Sequence, residues 1–355
     1  MTHPAKYTMS SSLRLIFWEA TRACNLECPH CRAKAEKKRS PEELTTQEAK
    51  RFLKTAASFS KPIVVFSGGE ALLREDIYEL IHYASQLGLK STLATNGSLV
   101  SLDSAMRLKE NKTALVAVSI YGSNAKSHDN FCGAPGAFEK SLAGINNLKK
   151  AGIPLQINTT ITKKNLAELE AMGNFALKQG AVSYHVFFLV PVGRGKSLEG
   201  DEISAQEYEE AFNRLYDFQS HSTIRVKATC APHYYRVLRQ RLAKEKKKLP
   251  CASDNFSAIT KGCLAGQGVC FVSYKGEVFG CGYLPVKAGD LRKEDFKSVW
   301  FESKLFQDLR DSAKLKGRCG ACEFKLVCGG CRARAYWRSG DFQEEEPYCI
   351  YQPQT

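Results

Sequence analysis

Between residues 14 and 190, short apolar runs rich in β-branched residues alternate with stretches of helical spacing. This alternation narrows the fold more than any other feature of the chain. Leu15-Ile-Phe-Trp18, Ile63-Val-Val-Phe66, Leu115-Val-Ala-Val118 and residues 153–161 and 182–190 read as strands, with 91–94 as a weaker one. Between them apolar residues return at helical intervals, as at Phe138, Leu142, Ile145 and Leu148, or Leu166, Leu169 and Met172. Strands that are apolar throughout belong in a parallel sheet covered by helices. Six such units predict an α/β fold, a partial (β/α)6 TIM-like barrel. Its chemistry is then expected at the C-terminal strand ends.

The repeat stops after Val190. Pro191-Val-Gly-Arg194-Gly is a turn-rich exit, residues 204–219 read as a helix, and Pro232 opens another. From Gly262 onward short Gly- and Cys-rich segments take over. Little core can form there from apolar residues alone, so metal clusters would have to supply stability. The expected division is a barrel core over 1–200, a helical connector with a pocket-lining segment over 201–260, and a cysteine-rich domain over 261–355.

Fourteen cysteines stand in a chain with 43% hydrophobic residues. No run approaches the about 18 apolar residues of a membrane span, and residues 1–14 lack a signal peptide's apolar region. A cytoplasmic location is expected, where thiols bind metals rather than pair. Cys24, Cys28 and Cys31 follow the spacing Cys-x3-Cys-x2-Cys. Three thiolates on one loop suit three corners of a cubane iron–sulfur cluster and leave the fourth iron open. Zinc is the plainer alternative, with His30 as its one local fourth ligand. Cys319, Cys322, Cys328, Cys331 and Cys349 form a second set, where a zinc ribbon is the alternative. Cys270 lies in the apolar run Val269-Cys-Phe-Val272 and reads equally as a buried strand thiol. The net charge of +14 favours an anionic partner. Nucleic acid has no recognisable binding module here to support it. The run Lys244-Glu-Lys-Lys-Lys248 reads as a solvated helix face.

The cysteine loop and the motifs after it resemble the radical S-adenosylmethionine (SAM) enzymes. Ser67-Gly68-Gly69-Glu70 resembles the family's Gly-Gly-Glu-Pro turn, with Ala71 in place of Pro. Thr95-Asn96-Gly97 and Ser119-Ile-Tyr121-Gly122 match later strand-end motifs, with Tyr121 in place of Asp. The resemblance implies a [4Fe–4S] cluster on Cys24, Cys28 and Cys31, with SAM held by Gly68, Gly69, Glu70, Asn96, Ser119 and Asn158. The C-terminal cysteines resemble the SPASM module, with Gly262-Cys263 and Gly276-Glu-Val-Phe-Gly-Cys281 as its opening hairpin. That implies one auxiliary cluster on Cys319, Cys322, Cys328 and Cys349. A second would take Cys263, Cys281 and Cys331, with Cys270 as a candidate fourth ligand.

Within this family the chain resembles the haem-forming decarboxylases of the siroheme-dependent pathway and their haem d1 relatives. The likeness rests on Trp18-Glu-Ala-Thr-Arg22-Ala-Cys24, Gln156-Ile-Asn-Thr-Thr-Ile161, Val190-Pro-Val-Gly-Arg194-Gly195, Lys227-Ala-Thr-Cys230-Ala-Pro-His233-Tyr234-Tyr235-Arg236, Cys328-Gly-Gly-Cys331-Arg-Ala-Arg334-Ala-Tyr336 and Glu345-Glu346-Pro347. Cys132 departs from an expected Arg. The resemblance implies oxidative decarboxylation of two propionates of Fe-coproporphyrin III to vinyls, fed by a low-potential donor such as ferredoxin or flavodoxin. Arg22, Arg194 and Arg236 are then candidate propionate clamps, and Cys230, His233, Tyr234 and Tyr235 candidate porphyrin contacts. The alternatives are maturation of a ribosomal peptide, for which no N-terminal peptide-recognition domain is seen, and a sister reaction on a related tetrapyrrole. A plain iron–sulfur electron carrier would not need the SAM motifs.

Overall fold

The computed structural model describes residues 12–247 and 262–354. The six expected strands are β1 (Leu15–Thr21), β2 (Ile63–Gly68), β3 (Lys90–Thr95), β4 (Thr113–Ser119), β5 (Leu155–Ile161) and β6 (Ser183–Phe188). Each lies parallel to the next in chain order. Parallel neighbours need long crossovers. These are α1 (Thr46–Phe59), α2 (Ile77–Gln86), α3 (Leu102–Glu110), the pair α4 (Ala125–Cys132) and α5 (Ala137–Lys150), and α6 (Leu169–Lys178). α1 opens on a capping box, in which Thr45 Oγ1 accepts from Glu48 N (3.2 Å) and the Glu48 carboxylate accepts from Thr45 N (2.8 Å).

Alternate residues of each strand face the helices and form the core, among them Ile16, Trp18, Val64, Phe66, Val116, Ile157, Tyr184 and Val186. The Trp18 ring packs at 5.2 Å from Phe52 of α1 and 5.5 Å from Phe66. Burying one such side chain stabilises the fold by about 1.5–3 kcal/mol. The intervening residues face the inner side of the partial barrel, which is where polar groups collect.

Two additions lengthen the sheet at both ends. β7 (Arg225–Thr229) runs parallel to β6, between α7 (Ala205–Ser220) and α8 (Tyr234–Lys244). β8 (Val269–Val272) lies parallel to β1 on its other side. β9 (Glu277–Phe279) and β10 (Lys287–Asp290) continue antiparallel from β8. The order is β10-β9-β8-β1-β2-β3-β4-β5-β6-β7, one continuous ten-stranded sheet. The cysteine-rich segment therefore shares its hydrogen-bond ladder with the barrel. Helices α9 (Phe296–Glu302), α10 (Lys304–Arg310), α11 (Gly317–Ala321) and α12 (Arg332–Ser339) complete the fold. Among the described residues no helix is long and apolar enough to cross a membrane. Residues 1–11 and Lys248, parts of the expected N-terminus and basic run, lie outside the described residues.

Candidate functional site

β1 leads into the loop that carries Cys24, Cys28 and Cys31. Backbone bonds fix its path: Cys24 N donates to Glu36 O (2.7 Å) and Glu36 N to Arg22 O (2.9 Å). The turn after β2 lies directly against it. Gly69 N and Glu70 N donate to Thr21 O and Ala23 O, each at 2.7 Å. A Cβ at Gly68 would stand 2.3 Å from Thr21 O, and one at Gly69 2.2 Å from Ala23 O. Backbone cannot yield by that much, so both positions require glycine. Glu70 is fully buried, and its carboxylate accepts from Thr95 Oγ1 (2.8 Å) and Asn96 N (2.8 Å). It ties the end of β2 to the end of β3. Asn96 Nδ2 donates to Asn25 Oδ1 (2.9 Å) and lies 3.9 Å from Cys24 Sγ.

A second clamp comes from the segment after β6. Arg194 N donates to Cys31 O (2.9 Å), its Nε to Cys28 O (3.0 Å) and its Nη1 to Ala35 O (2.6 Å). Its Nη2 is buried without a partner among the described residues. A hydrogen bond from Cys132, with Arg194's charge adding to it, holds the Cys28 thiol below its ordinary range against the effect of burial. Tyr121 N donates to His128 Nδ1 (3.2 Å), which leaves the hydrogen on Nε2, 3.5 Å from Cys132 Sγ. Cys132 thus belongs to the shell of the loop. Burial pushes the Cys24 thiol up to about 11. His30 packs on Tyr121 (4.4 Å) and Phe131 (4.7 Å), and burial lowers its pKa to about 3.

The chemistry of this donor set fits a thiolate-held iron–sulfur cluster. Three thiols share one loop, Leu26 N donates to Cys24 Sγ (3.4 Å), and an unsatisfied guanidinium N–H stands by. None of the thirteen described cysteines is in a disulfide.

On the inner face, Ser119, Asn158, His185 and Lys227 fall in one register row across β4, β5, β6 and β7. Asn158 Oδ1 accepts from Gln156 Nε2 (2.7 Å). Burial, then the charges of Lys227 and Arg225, holds His185 neutral. Burial and the Arg14 guanidinium push Lys227 down to about 8, and no carboxylate pairs with it among the described residues. Neither His185 nor Lys227 stands out in the sequence as a site residue. The available signal was a pair of basic residues two apart, Arg225 and Lys227, and a histidine within a largely apolar run.

The arginines expected to clamp propionates are engaged within the protein. Arg22 Nη1 donates to Tyr274 Oη (2.7 Å) and the side chain pairs with Glu36 (3.1 Å). Arg236 pairs with Glu209 and stands 4.9 Å from the centre of the Tyr351 ring. Arg194 holds the cysteine loop. Tyr234 is buried edge-on to Phe212 (5.8 Å) and to Tyr235 (5.9 Å). His233 packs on Phe212 (4.6 Å) and Tyr208 (5.2 Å), with both ring nitrogens unpartnered among the described residues.

Cys319, Cys322, Cys328 and Cys349 line one cavity, with His233 and Arg236 at its wall. Glu346 N, Phe324 N and Gly330 N donate to the Sγ atoms of Cys319 (3.3 Å), Cys322 (3.4 Å) and Cys328 (3.4 Å). Such N–H···S bonds suit cluster-bound thiolates. Cys263, Cys281 and Cys331 form a separate group: beyond the effect of burial, Cys263 raises the pKa values of both Cys281 and Cys331, and Cys331 raises that of Cys281. Cys230 belongs with them. Cys270 does not: it pairs in register with Ile16 on the helix-facing side of β8, inside the apolar core.

Known proteins share both halves of this arrangement. Residues 18–176 match the Radical SAM superfamily, and residues 263–323 match SPASM, an iron–sulfur cluster-binding domain. An AdoMet-dependent heme synthase of Methanosarcina barkeri is 50% identical over 97% of this chain and 98% of its own. Another, from Oleidesulfovibrio alaskensis, is 47% identical over 97% of this chain and 89% of its own. The crystal structure of Streptococcus suis SuiB bound to precursor peptide SuiA has the same fold, with a TM-score of 0.73 at 17% identity, over 96% of this chain and 76% of that one. With thiol loop, strand-end turns and cysteine-rich extension all in place, the chain belongs to the radical SAM superfamily, among the members that carry a SPASM iron–sulfur domain.

Proposed function

We propose that this chain is a haem synthase, which turns two propionates of Fe-coproporphyrin III into vinyls by oxidative decarboxylation and so makes haem b. The observation that carries the reading is identity at half of all positions, over nearly the whole length of both chains, with an AdoMet-dependent heme synthase. Each conversion removes carbon dioxide, a hydrogen atom and one electron from a propionate. The [4Fe–4S] cluster with SAM supplies the hydrogen-abstracting chemistry when bound.

The protein's own residues position and shield. Cys24, Cys28 and Cys31 hold the cluster. The glycine turn at Gly68 and Gly69 sets the loop on the strand end, and Glu70 and Asn96 brace it from below. Ser119 and Asn158, on the inner row, would contact SAM. Lys227, inward and with no carboxylate paired to it among the described residues, supplies the charge that a propionate needs. The set Cys319, Cys322, Cys328 and Cys349 would hold an auxiliary cluster, which would supply an acceptor for the product electron. A low-potential donor such as ferredoxin or flavodoxin feeds the first cluster.

The test is anaerobic. The chain is reconstituted with iron and sulfide, given SAM, reductant and Fe-coproporphyrin III, and the porphyrin is followed by mass. Haem b is expected. SAM cleavage with unchanged porphyrin contradicts the substrate and leaves the family intact.

A further inference from the structure

The geometry points to Cys230 as the fourth thiolate ligand of the auxiliary cluster carried by Cys263, Cys281 and Cys331. This rests on the SPASM domain and is independent of the porphyrin.

Cys230 follows β7 with φ of +60°. Of the four non-glycine residues with positive φ among those described, the other three are lysines, and Lys112 and Lys246 each sit just past a helix end. A side chain in this conformation is strained in a way that glycine would avoid. Strain kept where glycine would relieve it marks a side chain that is needed.

The strained peptide is held from two sides by the other ligand segments. Arg334 Nη1 donates to Cys230 O (2.8 Å). Arg334 is fully buried on α12, three residues after Cys331, and pairs with Glu346 (3.3 Å). The Glu346 carboxylate in turn accepts from Cys331 N (2.8 Å). One arginine–glutamate pair thus fixes both cysteines. On the other side, Gly262 lies against Pro232 so closely that a Cβ would stand 2.6 Å from Pro232 Cβ. Cys263 is the next residue.

The electrostatics agree. Burial raises the Cys230 thiol, and Cys331, Cys281 and Cys263 raise it further. Burial alone raises Cys270. Gathering four thiols in a buried place is unfavourable until a cationic centre binds them. On ligation the Cys230 Sγ–H proton passes to water and an Fe–S bond takes its place. With four protein thiolates the cluster has no open iron. It serves as an electron carrier, and Cys230 is not a porphyrin contact.

The experiment uses the full chain, reconstituted anaerobically without porphyrin. Iron and sulfide per chain, and the electron paramagnetic resonance spectrum after dithionite, are compared for wild type, Cys230→Gly, Cys230→Ser, Cys270→Ala and Cys331→Ala. Cys230→Gly removes the thiol while relieving the backbone, so the metal-free variant should melt no lower than wild type. It should nonetheless lose or shift the same spectral component that Cys331→Ala removes, and added 2-mercaptoethanol should restore it. Cys230→Ser, which keeps the side chain's size, should shift that component as well. Cys270→Ala should match wild type. Wild-type iron content and spectrum in both Cys230 variants overturn the assignment, as does a loss seen with Cys270→Ala instead. Because no porphyrin is present, either result leaves the proposed reaction standing.

Discussion

A lysine facing inward with no carboxylate beside it is costly to keep charged, and Lys227 carries that cost until an anion arrives. Its value to a bound propionate follows from the strength of charge-assisted hydrogen bonds, about 1.5–3 kcal/mol. Lys227→Met should raise KM for Fe-coproporphyrin III by roughly 10- to 100-fold and change kcat less, with Lys227→Arg recovering part of the loss. The pH dependence has a definite sign. Below about 8 the ammonium attracts the carboxylate, and above it the neutral amine does not. Wild-type KM should therefore climb as pH rises through about 8, and the Met variant should lose that climb. His185 opposite is held neutral by its burial, so the lysine is the group of this pair that titrates. Steady-state kinetics across pH decide it. Gly69 makes the second point at this scale. Gly69→Ala drives a Cβ into the Ala23 carbonyl and should destabilise the fold by about 1–3 kcal/mol, read as a lower melting temperature together with lost iron. The glycine pair was legible as a motif. That Glu70 looks inward to Thr95 and Asn96 was not, because a carboxylate's direction depends on a strand 25 residues away.

Among elements, β1 to β6 were legible in the sequence, β1, β2 and β4 as continuous apolar runs and β3 as a weaker signal. β7 escaped because Arg225 and Lys227 alternate with small residues and break any apolar signal. β8 carries a full apolar run, but nothing local says that it joins β1 in parallel across more than 250 residues. The same limit hid the work of Arg194. Its motif suggested a substrate clamp, whereas three hydrogen bonds from one residue place it on the cysteine loop. Arg194→Met should therefore lower iron incorporation at the first cluster and leave the auxiliary clusters loaded. Arg194→Lys should rescue it poorly, since a point charge cannot reach the Cys28 and Ala35 carbonyls together. Iron analysis with paramagnetic resonance separates the two populations. Equal loss from all clusters would make Arg194 a general stabiliser instead.

For the molecule as a whole, the continuous sheet joins the two cysteine-bearing ends of the chain. Cutting the chain after residue 247 would remove β8 and open the hydrogen-bonding edge of β1 beside Ile16 and Trp18. Open apolar edges template aggregation, so that fragment should be insoluble where the full chain is monodisperse, as size-exclusion chromatography would report. In the proposed reaction this single sheet presents a propionate to the SAM-bound cluster. Fe-coproporphyrin III deuterated at its propionate β-carbons tests it most directly, with the 5′-deoxyadenosine and porphyrin products read by mass. Deuterium is expected in the 5′-deoxyadenosine, two equivalents of it per haem, with loss of two carbon dioxide molecules. Unlabelled 5′-deoxyadenosine beside intact Fe-coproporphyrin III would contradict it.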